Sequence, residues 1–107
     1  MANVIWVLVN CNSLKEAKSI GRACLKARLA SCFDIFKREL TQYFWPPRSG
    51  KTESARGALL ILETLPAQLP RLRRLVKKLH TDKLPFIGSI KIDVESAFAS
   101  WVKAELK

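Results

Sequence analysis

Two short unbroken apolar runs, Val4-Ile5-Trp6-Val7-Leu8-Val9 and Ala58-Leu59-Leu60-Ile61-Leu62, constrain this chain more than any other feature. Each is too short for an ordinary helix and too uniformly apolar for a sheet with one wet face. Both therefore read as strands buried on two sides, in the middle of a sheet. Each is followed by a segment of helical period. After the first, Ser13 with Glu16 three residues on forms a capping-box pattern that satisfies orphan N–H groups at a helix start. Leu14, Ala17, Gly21, Cys24, Leu25 and Leu29 then make an inward stripe, with Lys15, Lys18, Arg22 and Lys26 away from it. After the second, Thr64 and Pro66 mark a helix entry. Leu65, Leu69, Leu72, Leu75, Val76 and Leu79 face inward, and Pro70 falls in the first turn or so, where its missing N–H costs little.

Between these units, Ser31 to Trp45 mixes Phe33, Ile35, Phe36, Tyr43, Phe44 and Trp45 with polar residues, as a long half-exposed strand or bent pair of strands does. Pro46-Pro47-Arg48-Ser49-Gly50 interrupts it as a hairpin loop, because two prolines remove ladder donors and Ser-Gly favours a turn. Phe86 to Asp93 reads as a fourth strand. Glu95 to Leu106 reads as a terminal helix with Phe98, Trp101, Val102 and Leu106 on one side. The order β-α-β-β-α-β plus a helix predicts an α+β, ferredoxin-like antiparallel sheet, and right-handed crossovers place strands one and three at its centre. At 107 residues, one domain covering 1–107 is expected.

The 49% hydrophobic content excludes a disordered basic tail, and no apolar run approaches the ~20 residues of a membrane span. Cys11, Cys24 and Cys32, odd in number and without a CxxC knuckle, predict reduced thiols rather than a disulfide framework. With no basic leader or small-residue cleavage site after Met1, the expected compartment is the cytosol.

The predicted topology makes strands one and four antiparallel neighbours. Cys11, at the end of the first, and His80, before the start of the fourth, then arrive at one edge of the domain. Soft sulfur with imidazole suits copper or zinc. A third ligand would have to come from Asp82, a backbone atom, water or another subunit. The bland alternatives are a small buried thiol at a strand end and a histidine favouring a helix dipole. Cys24, on the inward stripe, and Cys32, at a strand entry, read as packing residues.

In order along the chain, the following residues resemble the landmarks of the CutA family of divalent-cation tolerance proteins: Val7-Leu8-Val9-Asn10-Cys11-Asn12; Ala27-Arg28-Leu29-Ala30-Ser31-Cys32-Phe33-Asp34-Ile35; Tyr43-x-Trp45; Leu59-Leu60-Ile61-Leu62-Glu63-Thr64; His80-x4-Pro85; and Phe98-x2-Trp101-Val102. The resemblance implies a non-enzymatic cytosolic homotrimer built through the long hairpin, with Tyr43 and Trp45 at subunit interfaces; by themselves these two would serve equally as cross-strand partners, and Trp101 reads either as an interface residue or as an ordinary core aromatic of the last helix. It also implies binding of copper or another divalent cation, or of a small ligand, in intersubunit clefts, with Cys11 and His80 on the metal-binding positions. The chain departs from the family's pattern at His80-Thr81-Asp82-Lys83-Leu84-Pro85, which lacks the usual tyrosine and first proline. It departs again in the Pro46-to-Lys51 loop, near Arg56-Gly57 where a glutamate is customary, and at Glu63 in place of lysine.

Catalytic patterns are sparse. Arg48-Ser49-Gly50-Lys51-Thr52 copies the tail of a phosphate loop without its first glycine or a feeding strand, and no residue orients a Cys11–His80 nucleophilic pair. The charge supports a second reading. The 19 Lys and Arg against 9 Asp and Glu give +10, and many of the basic residues, among them Arg71, Arg74, Lys77 and Lys78, fall on the outer faces of the two helices or just beyond them, as Lys83 does. Such a face attracts nucleic acid or another polyanion nonspecifically, or an acidic partner. Sequence-specific RNA recognition is disfavoured because the second apolar run has no stacking aromatic.

Overall fold

The structure, a computed structural model, describes residues 2–107. Strand β1 (Ala2–Cys11) leads into helix α1 (Leu14–Lys26). Strands β2 (Cys32–Phe44) and β3 (Thr52–Thr64) form a long hairpin, followed by helix α2 (Leu69–Leu79), strand β4 (Ile87–Val94) and helix α3 (Ser96–Glu105). The strands make one antiparallel sheet in the order β2-β3-β1-β4, the ferredoxin-like α+β arrangement expected from the two apolar runs. Those runs lie in the two inner strands. Register sets Val7 against Leu62 and Val9 against Leu60. Because side chains alternate along a strand, Ile5, Val7, Val9 and Cys11 turn to one face with Ala58, Leu60 and Leu62.

That face carries the main core, in which the strand residues pack with Ala17, Ile20 and Cys24 of α1 and Leu72 and Val76 of α2. The α1 stripe differs from expectation in its membership. Ile20 is buried, whereas Leu14 and Leu25 are largely exposed, because the helix turns its Ala17-Ile20-Gly21-Cys24 side to the sheet. Gly21 permits the close approach: a Cβ there would sit 2.8 Å from the Phe33 ring. Ser13 caps α1 as expected, its Oγ accepting the Glu16 N–H at 3.0 Å. Helix α2 starts later than Pro66 suggested, with Gln68 as its cap and Pro70 in its first turn.

On the other face, Val4 is buried, as are Ala99 and Val102 of α3. Helix α3 turns these small and β-branched residues inward. Phe98 and Trp101 instead pair with each other in a tilted arrangement, ring centroids 5.6 Å apart, and remain substantially exposed. Trp101 is thus not a core aromatic of the protomer.

The hairpin gives the molecule its elongated shape. A chain of this length packs to a radius of gyration of about 13 Å, but the observed value is 15.0 Å, with extents of 48 × 25 × 22 Å. Halfway along β2 a bulge slips the register, so that Arg38 faces Gly57 while Thr41 faces Ala55. At the tip, Ser49 bonds back to the Pro46 carbonyl through both N–H and Oγ, and Arg48 and Gly50 take positive φ. The Arg48-to-Thr52 segment is therefore a hairpin turn followed by strand, not a phosphate cradle at a helix start.

Candidate metal centre

Antiparallel pairing of β1 with β4 runs to Val9 and Ile87, and the Asn10 N–H continues it by donating to the Phe86 carbonyl. The end of β1 therefore meets the turn that joins α2 to β4. His80 is the C-cap of α2, its N–H donating to the Val76 carbonyl, and its ring is buried against β1. Cys11, fully buried, points to the same face. The structure thus brings together the two residues singled out from the sequence.

The side chain that joins them is Glu16 rather than Asp82. The Cys11 thiol, a Glu16 carboxylate oxygen and a His80 ring nitrogen all lie within 4.8 Å of one another. Asp82 turns its carboxylate to the Asn12 side-chain amide at 2.8 Å and offers His80 only its backbone N–H. Glu16 was legible as the glutamate of the capping box, three residues after Ser13. Its carboxylate, however, bypasses Ser13, accepting the Asn12 N–H on Oε1 (2.8 Å) and the Thr81 N–H and hydroxyl on Oε2 (3.0 and 2.6 Å). One side chain thereby joins the start of α1 to the turn after α2.

The hydrogen bonds assign the imidazole tautomer. Nδ1 lies 3.0 Å from the Asp82 N and accepts its proton, so Nε2 carries the ring hydrogen and donates to the Asn10 carbonyl at 2.7 Å. Glu16 Oε1 is 3.8 Å from Nε2. The Cys11 thiol makes only a long contact, 3.8 Å, to the Val9 carbonyl. Burial pushes its pKa up to about 12, the Glu16 and Asp82 charges add to the rise, and the Arg38 guanidinium opposes it. For Glu16, partial burial alone would raise the pKa. The Thr81 and Asn12 hydrogen bonds and the nearby His80 outweigh that, and the carboxyl is held below its usual range.

In donor chemistry the trio fits a borderline or soft divalent ion: thiolate, carboxylate and imidazole are the ligands that hold zinc and copper. Loading requires the thiol proton to leave and an imidazole nitrogen to give up its backbone partner.

The remaining candidates are dispersed. Tyr43 and Trp45, 40% and 45% exposed, line a cleft under the hairpin, and Trp101 lies on α3. Cys24 packs in the core as expected. Cys32 instead joins a polar cluster in which Trp6 Nε1–H, the Ser31 hydroxyl and the Cys32 thiol all donate to the buried Glu63 carboxylate. Arg71, Arg74, Lys77 and Lys78 are exposed on α2, but Lys83 lies at the cleft rather than on the helix face.

A ferredoxin-like sheet with a thiol, a carboxylate and an imidazole gathered where β1, α1 and the end of α2 meet defines a small α+β protein with a candidate divalent-ion centre. The chain belongs to the CutA1 divalent ion tolerance protein family, whose model matches residues 5–105. It is 30% identical over 98 residues to the divalent-cation tolerance protein CutA of Archaeoglobus fulgidus, covering 91% of this chain and 92% of that protein. It is 32% identical over 97 residues to a CutA homolog of Danio rerio, of whose length it spans only 63%. The solved structure of the Archaeoglobus protein, described as periplasmic, superposes with a TM-score of 0.89 at 27% identity, covering 97% and 99% of the two chains. CutA from Xylella fastidiosa shares the fold, with a TM-score of 0.90 at 22% identity over 99% of this chain and all of that one.

Proposed function

We propose that this chain is a non-enzymatic, homotrimeric divalent-cation tolerance protein of the cytosol that takes up copper, or another divalent ion, at Cys11, Glu16 and His80. The observation that carries this reading is the convergence within 4.8 Å of three donor atoms from β1, α1 and the end of α2. When bound, the ion is held as cargo. Glu16 and His80 supply the donors that need least preparation, and Cys11 supplies the sulfur that selects soft metals. A non-catalytic role is supported by the same geometry: a buried thiol with its pKa raised to about 12 is a poor nucleophile, and the imidazole is engaged by backbone on both nitrogens. Three free cysteines favour a reducing compartment.

Self-association is supported by the two outer strands, β2 and β4, which each present an unpaired edge among the described residues, and by the exposure of Tyr43, Trp45 and Trp101. The test is equilibrium dialysis against copper together with native mass. The wild type should bind saturably at a mass near three chains, and Cys11→Ser with His80→Gln should weaken uptake at least ~tenfold. Full uptake by the double variant excludes this centre, and a monomeric mass excludes the trimer.

A second reading is favoured by the distribution of charge. Arg71, Arg73, Arg74, Lys77 and Lys78 of α2 and Lys15, Lys18, Arg22 and Lys26 of α1 are all exposed, α2 has no acidic residue, and the one acid of α1, Glu16, is turned toward Thr81. This face suits a nucleic-acid backbone. Binding of single-stranded DNA that falls steeply with salt, and that Arg74→Glu with Lys78→Glu abolishes, is the expected result. Salt-independent binding would overturn it.

A further inference from the structure

Helices α1 and α2 lie side by side on one face of the sheet. Tyr43, Trp45 and Trp101, which the proposed assembly uses, all lie off that layer. Its outer side carries two rows of cations, one from Lys15 to Lys26 on α1 and one from Arg73 to Lys78 on α2, and every lysine and arginine in both rows is exposed. The two ion pairs among the described residues, Arg28 with Glu105 and His80 with Glu16, use none of them. Arg71, next to the α2 row, instead donates to the Lys107 carbonyl at 2.7 Å. Glu16, the one acid on either helix, has both carboxylate oxygens engaged by Asn12 and Thr81. Like charges held this close repel one another, and a polyanion relieves them.

Two features decide which form of nucleic acid the layer suits. Neither helix carries an aromatic residue. Single strands are held in large part by stacking their bases on aromatic side chains, and the layer has none to offer. Charge density acts in the same direction. At ~1.5 Å per residue the α1 row is about 16 Å long. That length of duplex DNA carries about ten phosphates, against about five on one strand. Both helices bury their inner residues against the sheet, so what they present is rows of long, flexible cations. Such side chains bond to phosphates, which carry no sequence.

We propose that the α1–α2 layer is a docking surface for duplex DNA, held through its phosphates without regard to sequence. This rests on the second reading above, that the face meets a nucleic acid; the metal centre plays no part in it.

The experiment is fluorescence anisotropy of the full chain with a labelled duplex of about 20 base pairs, some two helical turns, and with one of its strands alone, each at ~50 and ~200 mM salt. The duplex should bind at least ~tenfold more tightly than the strand at the same salt, and its affinity should fall at least ~hundredfold between the two salts. A duplex of unrelated sequence should bind within ~threefold of the first. Lys18→Glu with Arg22→Glu, and Arg74→Glu with Lys78→Glu, should each remove most of the binding, because both rows are engaged. Lys51→Glu with Lys103→Glu changes the net charge equally at exposed positions off the helices, and should leave affinity within ~threefold. An equal loss in that protein would assign binding to net charge and overturn the proposal. A single strand that binds as tightly as the duplex, and is lost in the same helix variants, would overturn the duplex assignment and leave the second reading standing. Uptake on phosphatidylserine vesicles with none on the duplex would make the face a membrane surface instead. No salt-dependent binding of either nucleic acid would remove both readings.

Discussion

His80 donates its Nε2–H to the backbone carbonyl of Asn10 at 2.7 Å and thereby ties the end of α2 to the end of β1. The imidazole also accepts the Asp82 N–H, so the turn toward β4 is fastened through the same ring. His80→Ala leaves a carbonyl and an amide without their partners and opens a cavity, and should cost about 2–4 kcal/mol. His80→Gln, which retains a donor and an acceptor, should recover part of this. Urea unfolding midpoints check the order, and an unchanged midpoint in His80→Ala would refute the structural role.

Metal uptake should strengthen with pH. The Cys11 thiol, with its pKa pushed up to about 12, is protonated near neutrality, so each ion bound through sulfur releases one proton. Apparent copper affinity should climb about tenfold per pH unit between about pH 6 and 8, with protons detected in unbuffered solution. In Cys11→Ser this slope should flatten. A pH-independent affinity in the wild type would remove the sulfur from the ligand set.

Alkaline stability follows from the thiols. Burial raises the pKa of Cys11 to about 12, Cys24 to about 11 and Cys32 to about 12, the last aided by the Glu63 charge. All three lie above the ordinary thiol value, so the folded state holds these protons more tightly than the unfolded chain. The contribution is complete below about pH 8.5 and is lost as pH rises toward 11–12. The urea midpoint should fall above about pH 9. Cys24→Ala, which removes the thiol in the core, should make the fall shallower. An identical decline in both proteins would assign it to other groups.

Gly21→Ala tests the α1–β2 contact. Alanine favours helix by up to ~1 kcal/mol, but its Cβ meets the Phe33 ring at 2.8–3.0 Å, and the crowded core should lose about 1–3 kcal/mol. The net effect is destabilising, and Phe33→Leu in the same chain should relieve it. A raised melting temperature in the single variant would mean that the ring moves aside freely.

Glu63 accepts from Trp6, Ser31 and Cys32. Glu63→Gln replaces one acceptor oxygen by a donor amide among three donors, and should cost about 1–3 kcal/mol. Trp6 loses or weakens its bond in the process, which a fluorescence shift reports. Unaltered stability would show that the cluster re-forms around glutamine.

Periodicity and apolar runs determined the elements. Val4-to-Val9 and Ala58-to-Leu62 are stable only between other strands and under helices, and that requirement places them at the sheet centre. The same logic brought Cys11 and His80 to one edge, because strand adjacency is a property of topology. What tertiary structure alone decided was the direction of individual side chains. Glu16 reads locally as a cap, yet its carboxylate reaches Thr81, a residue far along the chain that only the packing of α2 on the sheet supplies. Arg38 sits in an unremarkable polar stretch, and only the one-residue slip in β2, with the space left by Gly57, turns it into a cleft. Helical spacing places Phe98 and Trp101 on one side of α3 but does not say whether that side is covered; here Ala99 and Val102 are. Local sequence encodes which elements form, through backbone hydrogen bonding and burial on one face. Register and rotation about each element's axis depend on contacts among residues far apart in the chain, which no single segment contains.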